Sequence, residues 1–259
     1  MSARSRLIPT IETIKHQTSE YFLSNHVKFG IPTVFRSSFI NIPASSKWVC
    51  SDSSLNVDYF KELVITSYPE PYVSIEKGNF DVNNNLNQDD DSNFARFEVP
   101  FLTYLQLQSI YKDIYLAQTP LLELIPSLQS DIGSVQNFLP SNDYIYGNSA
   151  WIGRKSFTPR HYDANDNLYI MITGSKKFTL WEPSKKPGEL MLCNANFRAA
   201  EDKESPWGEV VLNAGDGIYI PQRWWHEVKG CTDNTTISLN WWFHLPQVYK
   251  NSTTNLKSN

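Results

Sequence analysis

The chemistry-bearing residues of this chain are few. There are five His, and one of them stands in His161-Tyr-Asp163. In an extended segment, residues two apart share a face, so this imidazole and this carboxylate converge on one point. A second His from a neighbouring strand would complete a set of two His and one carboxylate. Such a facial set leaves open positions on Fe(II), as oxygen chemistry requires, although zinc or manganese could also take it. His226 is the partner expected. It stands 63 residues after Asp163 and follows Gly215-Asp-Gly217 and the strand-like Ile218-Tyr-Ile-Pro221. His-x-Asp alone is a common pair. With the spaced second His it becomes a candidate metal site of His161, Asp163 and His226.

A second group follows from strand alternation. Thr173-Gly174-Ser175-Lys176 reads as a hairpin with Gly174-Ser175 as its turn. Thr173 would then pair with Lys176, Met171 with Phe178 and Tyr169 with Leu180. Counting back by twos from Thr173 reaches Asn167, Asp163 and His161, provided alternation holds through 164–166. Lys176 would share the face of the metal ligands, among Tyr169, Met171, Phe178 and Leu180. An ammonium in those surroundings needs an anionic partner. Lys176 is therefore either a surface residue at a hairpin end or the grip for the far carboxylate of a dicarboxylic cosubstrate.

The elements that must position these residues form two zones. Ile11 to Val27 is expected as an amphipathic helix with a stripe of Ile11, Ile14, Tyr21 and Phe22. Ile31 to Phe35 reads as a strand, with Trp48 after a Ser-rich turn. Asp81 to Asn93 is Asn/Asp-rich and reads as a solvated loop, since its spacing is not that of a calcium loop. Phe101 to Ile114 reads as a helix and Tyr115-Leu-Ala-Gln118 as extended. Thr119-Pro120 reads as a helix start, with Thr as cap. Strands follow at Tyr144–Tyr146, Leu168–Ile172, Lys177–Trp181, Gly217–Ile220 and Thr235–Phe243. Pro183 to Asn213 is too long for a hairpin turn and is a candidate substrate loop, in which Arg198 and Trp207 are most simply ordinary loop residues. The expected architecture is a mainly β barrel or sandwich behind a helical N-terminal region.

Composition narrows the function classes. The chain has 259 residues, 41% hydrophobic and 19% charged, with eight Trp and thirteen Tyr, as a globular aromatic-rich fold would have. The net charge of −4 shows no basic excess of the kind a broad nucleic-acid footprint carries. Cys50, Cys193 and Cys231 are widely spaced and fit neither a disulfide scaffold nor a Cys-rich zinc site, so a reducing compartment, cytoplasmic and/or nuclear, is expected. No signal-like apolar segment opens the chain, and no stretch reaches the ~20 apolar residues of a membrane span. His244 is expected as a strand-end residue, His16 and His26 as structural or exposed. The pairs Trp224-Trp225 and Trp241-Trp242 are expected in the core, with one of each pair free to line a pocket.

His161-Tyr-Asp163, Asn167, Lys176, Gly215-Asp-Gly-Ile-Tyr-Ile-Pro221, Trp224-Trp225-His226 and Asn240-Trp-Trp242 together resemble the JmjC family of the cupin superfamily. The likeness is to its small hydroxylases, strong from about residue 144 to 244 and looser over 30–48 and 115–119. It implies a double-stranded β-helix (jelly-roll, cupin-like) with helical N-terminal decoration. As a domain plan it implies one domain over 1–259: mixed N-terminal elements over 1–120, a catalytic β-helix core over 121–247 and a flexible tail over 248–259. It implies Fe(II) held by His161, Asp163 and His226, 2-oxoglutarate as cosubstrate with its C5 carboxylate on Lys176, and O₂ as oxidant. By the same resemblance Thr158 and Tyr115 contact the cosubstrate, and Asn167 and Asn240 match pocket asparagines. Simple alternation places Thr158 opposite His161, so its assignment rests on the resemblance, with Pro159 as a local bend. The implied activity is a dioxygenase that hydroxylates a protein or peptide side chain. Lysine demethylation and hydroxylation of a modified tRNA base are the alternatives, and a homodimer is open. A binding module without activity is disfavoured by the intact ligands and Lys176.

Overall fold

The computed structural model describes residues 10–11, 18–66, 69–77, 95–154, 156–183 and 205–246. In chain order these form β1 (Thr10–Ile11), α1 (Ser19–Asn25), β2 (Thr33–Phe35), α2 (Ala44–Lys47), α3 (Val57–Ile65), β3 (Tyr72–Lys77), β4 (Ala95–Pro100), α4 (Phe101–Ile110), β5 (Ile114–Thr119), α5 (Leu121–Leu124) and α6 (Gln129–Ile132). Strands then dominate: β6 (Ile145–Gly153), β7 (Phe157–Tyr162), β8 (Asp166–Thr173), β9 (Ser175–Trp181), β10 (Gly208–Asn213), β11 (Gly217–Ile220), β12 (Trp225–Gly230) and β13 (Thr236–Phe243).

Two sheets result. A nine-stranded sheet runs β1-β2-β11-β8-β13-β6-β5-β3-β4, and a four-stranded sheet runs β10-β9-β12-β7. This is the jelly-roll arrangement expected, with β2, β3 and β5 of the N-terminal region hydrogen-bonded into the large sheet. β8 is buried along its whole length because it faces two cores. Leu168, Ile170 and Ile172 join the larger core with Phe22, Phe35, Phe39, Trp48 and Phe60 from the helical side. Tyr169 and Met171, one residue out of phase, join Phe178, Leu180, Val210, Leu212 and Val228 between the sheets. The period of two thus sorts one strand's side chains into two interiors.

Several expectations are corrected. β8 and β9 are not a hairpin. β8 pairs with β11 and β13, whereas β9 pairs with β10 and β12. Gly174 alone crosses from one sheet to the other at φ +76°, and a Cβ there would meet Thr236 at 2.6 Å, so only Gly fits the crossing. Alternation also breaks between β7 and β8, which lie in different sheets. The N-terminal helix is shorter than expected: Ile11 is in β1, paired with β2, and α1 begins after Thr18, whose hydroxyl accepts from Tyr21 N at 3.2 Å. Tyr21 faces out while Phe22 is buried. Trp48 does follow a Ser-rich turn, which is the helical turn α2. α4 ends at Ile110, since Ile114 already belongs to β5. Thr119 does not cap a helix: it lies in β5, its hydroxyl donates to backbone carbonyls, and α5 starts after Pro120. Within the interruption expected over Pro183 to Asn213, Gly208–Asn213 is β10, zipped to β9. Ile14, His16, Asp81 to Asn93, Cys193, Arg198 and the tail 248–259 lie outside the described residues.

Candidate metal centre

The site is built on the small sheet. β7 and β12 are antiparallel neighbours in which His161 and His226 are directly opposite, with ring centroids 4.2 Å apart. Asp163 sits just past the end of β7, where its backbone carbonyl accepts from Arg223 N at 2.7 Å. Arg223 takes a left-handed φ of 67° in the turn before β12, so this tie fixes the carboxylate's segment against the strand carrying His226. One donor atom from each of His161, Asp163 and His226 falls within 4.8 Å of the others. Asp163 Oδ1 is 4.0 Å from His161 Nε2, and Oδ2 is 3.8 Å from His226 Nε2.

Both imidazoles are oriented by backbone. His161 Nδ1 lies 2.8 Å from Pro159 O and His226 Nδ1 lies 3.0 Å from Trp224 O. Each carbonyl requires a proton on Nδ1, which leaves the Nε2 lone pair facing the cluster, the arrangement a metal-binding His needs. Burial lowers the pKa of His226 to about 4, and neighbouring His161 adds to the effect while Asp163 opposes it. The ring is therefore neutral at ordinary pH. Two imidazoles presenting Nε2 and one carboxylate on one side of a point fit a divalent iron-type ion with open positions.

Lys176 of β9 is 1% exposed. Its ammonium donates to Tyr115 Oη at 2.9 Å, Tyr169 Oη at 2.9 Å and Ser238 Oγ at 3.3 Å. Burial holds both phenols well above their ordinary pKa, so all three partners are neutral. No carboxylate among the described residues pairs with this ammonium, and burial lowers its own pKa to about 7. A buried cation held only by hydroxyls is a cradle for an anion.

A chain of side-chain amides joins the site's members. Trp151 Nε1 donates to Asn240 Oδ1 at 2.8 Å, Asn240 Nδ2 to Asn167 Oδ1 at 3.2 Å, and Asn167 Nδ2 to Asp163 Oδ2 at 3.1 Å. Trp242 Nε1 donates to the same Oδ2 at 2.9 Å. Thr158 reaches the interior by a bulge. From His226 to Val228 β12 advances two residues, while β7 retreats three, from His161 to Thr158. The extra residue flips the alternation, so Thr158 shares the face of His161 and is half-buried.

The structure therefore brings His161, Asp163 and His226 to one point, Lys176 and Tyr115 to another, and links the first through Asn167 and Asn240. Sequence reasoning missed Tyr169 and Ser238 as partners of Lys176, and Trp242 and Trp151 in the amide chain. Period two along β13 places Ser238, Asn240 and Trp242 on one face, which was the available signal. Trp241, on the other face, is core as expected. Trp224 packs edge-on against Trp207 at 5.0 Å, which makes Trp207 part of the inner core's border rather than a free loop residue. His26 is buried among Phe22 and Phe35, which lowers its pKa, and His244 follows β13 with its backbone N–H on Tyr144 O.

Comparison with known proteins agrees with this geometry. The family model for the cupin-like domain matches residues 18–188, and that for the JmjC domain matches 130–250. The chain belongs to the cupin-like domain family, and its C-terminal half matches the JmjC domain. Among curated relatives it is 27% identical over 264 residues to a lysine-specific demethylase of Arabidopsis thaliana, JMJ30, covering 92% of this chain and 56% of that protein. It is 30% identical over 174 residues to JmjC domain-containing protein D of Dictyostelium discoideum, covering 56% of this chain and 39% of the relative. The chain thus spans about half, or less, of these relatives. The crystal structure of the Escherichia coli ribosomal oxygenase YcfD superposes with a TM-score of 0.57 at 15% identity, over 91% of this chain and 54% of that one, a likeness of fold.

Proposed function

We propose that this chain is an Fe(II)- and 2-oxoglutarate-dependent oxygenase that hydroxylates a protein side chain. The observation that carries this reading is a pair of incomplete sites in one interior: a three-ligand cluster with an open side, and a buried ammonium with no carboxylate partner among the described residues. When bound, iron with 2-oxoglutarate supplies O₂ activation and transfer of one oxygen atom to a C–H bond, the hard step that belongs to metal and cosubstrate. His161, Asp163 and His226 would hold the ion on one side. Lys176 would pair with the far carboxylate of the cosubstrate, with the Tyr115 and Thr158 hydroxyls as neutral donors. The Asn167–Asn240 pair would line the wall between the two ends. Phe178, Leu180 and Val228 keep that interior apolar and dry, which strengthens the ammonium's hold on an anion.

A protein substrate is supported by what relatives are named for, and a cytoplasmic or nuclear setting by the widely spaced cysteines. One structural neighbour is a ribosomal oxygenase, and a Drosophila melanogaster relative, 28% identical over 97 residues, is a lysine-specific demethylase and histidyl-hydroxylase. Demethylation is the second reading, since JMJ30 is a lysine-specific demethylase. Release of formaldehyde against a product 16 Da heavier, an oxygen atom's mass, separates the two. A modified tRNA base is the third substrate class, and the net charge of −4 disfavours it. We propose a single domain as its unit, since N-terminal strands complete the large sheet.

The test is thermal unfolding with Mn(II) as a redox-silent surrogate, with and without 2-oxoglutarate, on wild type and Lys176→Met. A ligand that binds only the folded state stabilises it by about 2.7 kcal/mol at a hundredfold excess over Kd. The expected result is a metal-dependent rise with 2-oxoglutarate in wild type that is absent from Lys176→Met. No rise in wild type would sink the oxygenase reading.

A further inference from the structure

The two oxygens of Asp163 are in different surroundings. Oδ2 accepts from Trp242 Nε1 at 2.9 Å and from Asn167 Nδ2 at 3.1 Å. A carboxylate oxygen has two lone pairs for such bonds, so Oδ2 is saturated within the fold. No hydrogen bond to Oδ1 is found among the described residues. Distance does not choose between them, because Oδ1 lies 4.0 Å from His161 Nε2 and Oδ2 lies 3.8 Å from His226 Nε2. The hydrogen bonds do choose.

We infer that Trp242 and Asn167 are positioning residues for the metal: together they occupy Asp163 Oδ2 and leave Oδ1 as the single carboxylate donor. This inference rests on the metal-site reading above. Its consequence is chemical. A carboxylate free to chelate through both oxygens takes two positions on an ion, and one that offers a single oxygen leaves an extra position open for other ligands. The two donors come from different strands. Asn167 stands near the start of β8 and Trp242 near the end of β13, and these residues are direct cross-strand partners in the large sheet. Asp163 follows β7 of the small sheet, so the pair clamps the ligand's carboxylate from the opposite sheet. Asn167 is itself braced, since its Oδ1 accepts from Asn240, which in turn accepts from Trp151. Asn167 therefore cannot swing away from Asp163 without also breaking its bond with Asn240, which Trp151 holds in place. Both donors are neutral, so they fix the carboxylate without neutralising it as an Arg or Lys would, and its full charge stays available to a cation.

The experiment uses the full chain and Mn(II) alone, titrated by calorimetry, with Co(II) as a second probe whose visible spectrum reports coordination number. The variants are Trp242→Phe, which keeps an aromatic ring and removes the N–H, and Asn167→Ala. Unfolding temperatures without metal identify any variant whose fold has suffered. Loss of groups that orient a ligand weakens metal binding by roughly 10–100-fold. The expected result is a Mn(II) Kd raised at least tenfold in each variant and an altered Co(II) visible spectrum in Trp242→Phe. If wild type binds Mn(II) and both variants bind within twofold of it with the same Co(II) spectrum, the two residues only pack, and the inference falls while the metal site stands. If wild type binds neither ion, the metal-site reading falls and takes the inference with it. Should Trp242→Phe fail to fold, Asn167→Ala and the Co(II) spectrum decide the matter alone.

Discussion

Asp131 and Lys176 are buried charged groups in opposite conditions. Asp131 of α6, fully buried, receives Lys47 Nζ at 2.6 Å, Trp48 Nε1 at 2.9 Å and Tyr59 Oη at 2.5 Å. It is complete: a cation and two neutral donors from α2, α3 and the turn between them close around it. Burial works against its charge, but those hydrogen bonds outweigh burial and hold its pKa below the ordinary value. Lys176 is equally buried and has three hydroxyls but no counter-charge among the described residues, and its pKa falls to about 7. A charge that the fold completes holds helices together. A charge that the fold leaves incomplete costs stability, and such a cost is explained by a ligand that repays it on binding.

Substitution should separate the two. Asp131→Ala orphans the buried Trp48 indole N–H and the Tyr59 hydroxyl, while Lys47, about half exposed, returns to water. The expected loss is about 3 kcal/mol in denaturant unfolding. Lys176→Met should go the other way, raising the stability of the ligand-free protein by about 1–2 kcal/mol as a desolvated cation is replaced by an apolar chain. A large loss from Lys176→Met would mean that its hydroxyl partners satisfy it and that the contrast with Asp131 is false.

The two groups also predict pH dependence in different windows, with stability rising with pH in both. Between about 7 and its ordinary 10.5, Lys176 holds its proton more firmly in the unfolded chain than in the folded one. Stability attributable to it therefore rises with pH across that window, by at most about 1.4 kcal/mol per pH unit, and is flat below it. The difference between wild type and Lys176→Met isolates the slope. For Asp131 the folded pKa is depressed, so its contribution is present above the unfolded carboxylate value and is lost on acidification through the folded one. If a dianionic cosubstrate binds Lys176 in its charged form, binding above pH 7 takes up a proton. Calorimetry in two buffers of different ionisation enthalpy should then show it, and equal enthalpies at pH 8 would argue that the lysine is already charged.

The same contrast explains what the sequence revealed. His161, Asp163 and His226 were legible because ligand types are rare and their spacing is local to two strands. For Lys176 the sequence left an inward place and a surface place open, and the hairpin used to argue the inward one does not exist. Gly-Ser between two β-rich runs reads equally as a hairpin turn or as a crossing between sheets, because the choice depends on pairing with β11 and β12, 40 residues or more along the chain. The inward place is nonetheless the right one because strands facing across an interior present the same alternate residues to it. Asp131 was not legible at all: its partners Lys47, Trp48 and Tyr59 stand more than 70 residues away, and no local pattern marks a carboxylate as interior. Trp242 was hidden by its type, since an aromatic pair reads as core.

Thr158 offers the finest test of how far an uncharged group shares the task of Lys176. Unbroken alternation would turn its side chain away from His161. The bulge between Val228 and His226 turns it inward. Thr158→Val keeps the branched shape and removes only the hydroxyl. If the bulge places that hydroxyl on the cosubstrate, one neutral hydrogen bond is lost, about 1 kcal/mol, or roughly a fivefold weaker 2-oxoglutarate Kd at saturating Mn(II). Metal affinity should not change, because the substitution touches neither the ligands nor the donors to Asp163. Unchanged 2-oxoglutarate affinity would show that the inward turn of β7 serves to bring His161 opposite His226 and that Thr158 merely follows it.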